Sequence, residues 1–87
     1  MPSQRATSPV TVMLIGAGRM GQMHVQALST MGQRIRVTSI VDTDTDASQR
    51  AADFLTSAGH PSPSVYTDVH AALNLDKAQA CVVATPT

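Results

Sequence analysis

The chain has 87 residues, 43% of them hydrophobic and only 2% aromatic, so it is one small domain at most, with a core drawn from Val, Ile, Leu, Ala and Met. A fold of this size buries only about 60% of its unfolded surface, which leaves a slim stability margin. Six Lys plus Arg against six Asp and no Glu give formal neutrality, which argues against a nucleic-acid surface or a polybasic membrane patch; the single cysteine, Cys81, rules out an internal disulfide or a cysteine zinc cluster.

In chain order, residues 1–9 are polar, aperiodic and carry two prolines, and read as a disordered lead-in to a domain spanning 10–87. Val10 to Ile15 is a short apolar run consistent with a buried strand. It is too short for a secretory signal or a membrane span, so the cytoplasm is the expected compartment. The run breaks into Gly16-Ala17-Gly18-Arg19-Met20-Gly21, and a helical period then begins inside the loop. Met20, Met23, His24, Ala27, Leu28 and Met31 form its stripe, with a stop near Met31-Gly32.

Ile35 to Val41 is β-branched and predicts a second strand ending at Asp42. Thr45 or Asp46 can cap a second helix whose apolar face is Ala47, Ala51, Phe54, Leu55 and Ala58, stopped by Gly59. His60 to Ser64 holds two prolines and reads as a loop. Val65 to Thr67 predicts a brief third strand, Asp68 caps a short helix through Leu73, and Ala80 to Ala84 predicts a fourth, fully buried strand. Cys81 is then a small buried hydrophobe.

Strands alternating with helices imply an α/β fold with a doubly wound parallel sheet, here an incomplete one of about four strands in the order 3-2-1-4. Strand, glycine turn and helix in succession are the context that a dinucleotide fingerprint needs. Gly16 permits the tight turn, Gly18 lets a pyrophosphate approach the backbone, and Gly21 lets the helix pack on the strand. The free amides of the first turn and the helix dipole face the ligand, and Arg19 can add a cation. Asp42 follows Gly21 by 21 residues, the spacing of the acidic residue that accepts from the adenosine ribose hydroxyls. It also repels a 2′-phosphate, and Thr43 and Asp44 bring no arginine, so NAD is favoured over NADP. The bland alternative is that Asp42, Thr43 and Asp44 make a polar turn. The missing G-K-[ST] argues against a P-loop, and the third glycine favours a nicotinamide dinucleotide over S-adenosylmethionine.

The glycine loop with His24, Val41-Asp42 with Arg50-Ala51-Ala52, and Ala80-Cys81-Val82-Val83-Ala84-Thr85-Pro86-Thr87 together resemble the glucose–fructose oxidoreductase/inositol dehydrogenase (Gfo/Idh/MocA) family. The resemblance covers Val10 to the end. It implies a Rossmann-like domain using NAD or NADP, on an enzyme that oxidises or reduces hydroxyl and carbonyl groups of sugars and cyclitols. By the same resemblance Thr85 and Pro86 line the nicotinamide side. The family's catalytic Glu-Lys-Pro and later Asp-x-x-x-His motifs have no counterpart here, and Lys77 reads as a solvated loop residue. The sequence therefore reads as a truncated cofactor-binding front end, inactive alone, with the dinucleotide as its partner. Rival readings are a non-catalytic module that pairs or self-associates through an exposed fourth strand, and a remnant that binds nothing. Met20, Met23 and Met31 are read as adaptable core filling, and His24, His60 and His70 lack metal-ligand spacing.

Overall fold

A computed structural model describes residues 9–84. Residues 1–8 of the expected lead-in, and the positions of Thr85 and Pro86, lie outside the described residues. The elements are β1 (Val10–Ile15), α1 (Arg19–Ser29), a 3-10 turn (Gly32–Arg34), β2 (Ile35–Val41), α2 (Thr45–Ser57), β3 (Ser64–Tyr66), α3 (Val69–Leu75) and β4 (Ala80–Val83). The strands form one sheet in the order β3-β2-β1-β4, and every neighbouring pair is parallel. This is the anticipated four-stranded arrangement, with a reversal of strand order between β1 and β4.

Alternation along β1 explains why the stretch from Val12 to Ile15 is apolar throughout, while Thr11, nearer the start, bonds Gln79. Leu14 packs with Val37 and Ile40 against Val25 of α1 and Ala47, Ala51 and Leu55 of α2. Met13 and Ile15 point the other way, with Val41 and Ala72 of α3. A strand covered by helices on both faces leaves little place for a polar residue along the covered stretch.

β2 departs from strict alternation. Val12 pairs with Val37 but Met13 with Ser39, so Thr38 is an extra residue, a bulge that shifts the phase of the strand. Thr38 and Ser39 both donate their hydroxyls to Oδ2 of Asp76, just past α3, Thr38 at 2.6 Å. Ser39 is fully buried, so its hydroxyl needs such an acceptor.

Several sequence expectations are corrected. The inward face of α1 is Gly21, Val25 and Leu28, while Met20, Met23, Ala27 and Met31 are exposed. The cause is close approach: a Cβ at Gly21 would overlap the Gly16 carbonyl oxygen, so the helix turns its glycine to the strand end. The cap of α2 is Asp44, not Thr45 or Asp46; its carboxylate accepts from the amides of Asp46 and Ala47, each at 3.1 Å. Phe54 and Ala58 lie outside the buried face of α2, which is completed instead by Ala52 and Ser48. α3 starts after its Asp68 cap as anticipated but runs on to Leu75. β4 is not fully buried: it is the outer strand of the described sheet, and Cys81 and Val83 are exposed. Cys81 is therefore not a core residue.

Candidate functional site

Parallel strands place all their C-terminal ends on one edge, and the glycine loop, Asp42-Thr43 and Thr67-Asp68 gather there. Main-chain bonds tie these loops together. Gly16 donates its amide to the Val41 carbonyl at 2.7 Å, Asp42 to Tyr66 at 3.0 Å, and Ala84 to Ile15 at 2.8 Å. The last bond brings the chain just before Thr85 and Pro86 beside the end of β1.

Gly16 makes the turn out of β1 with φ of 100°, a conformation that side chains rarely adopt. Gly18 is the N-cap of α1, and no side chain caps the helix. The first amides of a helix lack internal partners, so those of α1 remain available. A Cβ built on Gly18 meets no heavy atom within 4 Å. Packing within the described chain therefore does not account for a glycine here, whereas room for a ligand does. Ala17 is fully buried in the core. Arg19 and Met20, in the first turn of α1, are exposed.

Asp42 is half-buried at the end of β2 and holds the loops on both sides of it. Its Oδ2 accepts the Ala17 amide at 2.7 Å and its Oδ1 the Asp44 amide at 2.8 Å. A carboxylate offers about four acceptor positions, so capacity for hydroxyl donors remains. Thr43 is exposed beside it and, with Asp42, Gly16, Thr67, Asp68 and Val69, lines a cleft of 390 Å³.

A larger cleft of 590 Å³ lies at the opposite end, against Arg36, Gly59 and His60. Open α/β sheets bind ligands outside the carboxyl ends of their strands, and the larger cleft brings together none of the fingerprint residues. Arg36 lines that far cleft and Arg50 is exposed on α2. His60 contacts the Ser29 carbonyl through Nε2 at 3.0 Å. Among the described residues no three His, Cys, Asp or Glu side chains group as metal ligands, and no helix is long and apolar enough to cross a membrane.

One residue of the site escapes sequence reasoning. Gln22, half-buried on α1, donates from Nε2 to the carbonyls of Ala17 at 2.9 Å and Ala47 at 3.0 Å. Its only sequence signal is a polar residue beside the glycine that faces the sheet.

The free helix amides, the open side of Gly18 and the acceptor at Asp42 together suit a ligand with a phosphate group and neighbouring hydroxyls, as a dinucleotide has. The chain is 36% identical over 80 residues to an inositol 2-dehydrogenase of Arthrobacter sp. (strain FB24), covering 92% of this chain and 22% of that protein. The myo-inositol dehydrogenase of Lactobacillus casei, solved with NAD(H) and myo-inositol, superposes with a TM-score of 0.75 at 26% identity, over 88% of this chain and 22% of that one. The WlbA dehydrogenase of Bordetella pertussis, solved with NADH and UDP-GlcNAcA, gives a TM-score of 0.73 at 28% identity, over 90% of this chain and 22% of that one. The chain thus spans about a fifth of the length of these relatives. A model of the Gfo/Idh/MocA oxidoreductase family, described by its NAD-binding Rossmann fold, matches residues 10–87, and the chain belongs to that family.

Proposed function

We propose that these residues are the N-terminal NAD-binding part of an oxidoreductase that acts on a hydroxyl or carbonyl group of a cyclitol or sugar. The observation that carries the reading is Gly18, open on its outer side at the uncapped start of α1, on the same edge as Asp42. In this reading the amides of Gly18, Arg19 and Met20 hold the pyrophosphate, with the Arg19 guanidinium as a supplementary cation. Gly16 and Gly21 shape the turn, Ala17 seats the loop in the core, and Asp42 with Thr43 takes the adenosine ribose. Thr85 and Pro86, assigned by family resemblance, flank the nicotinamide. NAD supplies a hydride acceptor; the described residues bind and orient it.

The cyclitol or sugar substrate is supported by the inositol 2-dehydrogenase relative. Proton transfer needs a group held beside the reacting carbon; Tyr66 ends β3 at this edge but packs against the cluster of Met13, Val41 and Ala72. Cofactor binding is thus the work of these residues, and no turnover is expected from them by themselves. The test is a calorimetric titration of the chain with NAD. Saturable one-to-one binding is the expected result, and absence of heat and of any NMR shift up to millimolar NAD would overturn the reading.

A further inference from the structure

Five hydrogen bonds close a circuit around the start of α1. The Ala17 amide donates to Asp42 Oδ2 at 2.7 Å, and the Asp44 amide to Asp42 Oδ1 at 2.8 Å. The Ala47 amide donates to Asp44 Oδ1 at 3.1 Å. Gln22 then closes the circuit, its Nε2 reaching the Ala47 carbonyl at 3.0 Å and the Ala17 carbonyl at 2.9 Å. Two carbonyl oxygens converge on one side chain, and only a group with two N–H bonds can serve both; the primary amide of Gln22 does so with no donor left over.

The contact with Ala17 has a directional consequence. The peptide joining Ala17 to Gly18 is planar and trans, so its C=O and N–H point in opposite directions. Holding the Ala17 oxygen toward Gln22 turns the Gly18 N–H away from it. At its other end, Ala17 is fixed by Asp42. The circuit therefore sets both the aim of the Gly18 amide and its separation from the Asp42 carboxylate.

We infer that Gln22 is a positioning residue for the dinucleotide, holding the phosphate-facing amide and the ribose-facing carboxylate at the one spacing that a single ligand can bridge. The inference rests on the NAD-binding reading above. A ligand that spans both groups gains from their fixed spacing, since preorganisation removes an ordering cost on binding. A ligand that touches only Asp42 gains little.

The test compares NAD with adenosine, which has the ribose and no phosphate, on the 87-residue chain carrying Gln22→Leu or Gln22→Glu. Leucine keeps the bulk without the donors, and glutamate keeps the shape but offers acceptors to two carbonyls. Both variants should bind NAD about tenfold more weakly, and adenosine within about twofold of the parent, the size expected when neutral hydrogen bonds are lost. Equal losses for both ligands, or no loss for either, would overturn the inference. A parent that fails to bind NAD at all overturns the functional reading, and the inference with it. Should the variants not fold, the parent alone still decides. Its Gln22 side-chain NH2 protons should exchange slowly and shift when NAD is added, whereas exchange at the rate of a free amide and no shift would refute the assignment.

Discussion

At Gly21 a Cβ would overlap the Gly16 carbonyl oxygen, whereas at Gly18 it would meet no heavy atom within 4 Å. The two positions should therefore separate stability from binding. Gly21→Ala should destabilise the fold by roughly 1–3 kcal/mol, the usual cost of overpacking a backbone contact, seen as a lower urea midpoint. Gly18→Val should cost only about 1 kcal/mol, through a poorer N-cap, yet abolish NAD binding in calorimetry. Retained binding would detach the pyrophosphate from this loop. Asp42 carries a second prediction. A ribose diol gives a carboxylate charge-assisted bonds, while a 2′-phosphate brings like charge to it. NAD should bind more tightly than NADP by ~1.5–3 kcal/mol, and Asp42→Ser with Thr43→Arg should narrow or reverse the gap. Asp42 also holds the Ala17 and Asp44 amides, so the double substitution will weaken both ligands. The ratio of the two affinities is the quantity that tests the assignment, and an unchanged ratio would leave Asp42 as a loop anchor only.

At the scale of elements, the bulge in β2 depends on one acceptor. Asp76 serves the hydroxyls of Thr38 and Ser39 together, and Ser39 is fully buried. Asp76→Ala should lower stability by roughly 1.5–3 kcal/mol, the worth of hydrogen bonds to a charged group; unaltered denaturant unfolding would show the cluster to be dispensable. Nothing in the sequence pointed to it, because the partners lie 37 and 38 positions away and the bulge breaks the period-two pattern. Strands themselves were legible: buried parallel strands are rich in apolar and β-branched residues, and β1 and β2 begin and end with the stretches Val10–Ile15 and Ile35–Val41 that those residues marked. Helix faces were less so. Hydropathy gives glycine no weight, so the stripe drawn along α1 followed its exposed methionines, although the fingerprint spacing had already set Gly21 against the strand. The cap of α2 fell one residue earlier than expected because Asp44 reaches two amides that Thr45, already helical, cannot. In the site, the fingerprint spacing located Gly16, Gly18, Gly21 and Asp42 on one edge, but Gln22 has meaning only through its partners across the fold.

For the whole molecule, the most exposed large hydrophobics among the described residues are Leu75 and Val83. Val83 is 65% exposed and Leu75 71%, and no described strand pairs with the outer side of β4. An unpaired apolar edge is a template for another strand. The chain should self-associate at high concentration, and Val83→Lys should return it to a monomer in sedimentation velocity; a parent that stays monomeric would refute this. At the strand ends of the site, three joins run main chain to main chain, beside those made by the Asp42 and Gln22 side chains: Gly16 to Val41, Asp42 to Tyr66 and Ala84 to Ile15. Such joins do not depend on which side chain each residue carries. These three bonds thus survive a change of side chain at either partner, as long as each donor keeps its N–H. Proline is the one residue without it, so it is barred from all three donor positions, while Gly16, at φ of 100°, is closed to nearly every other side chain as well.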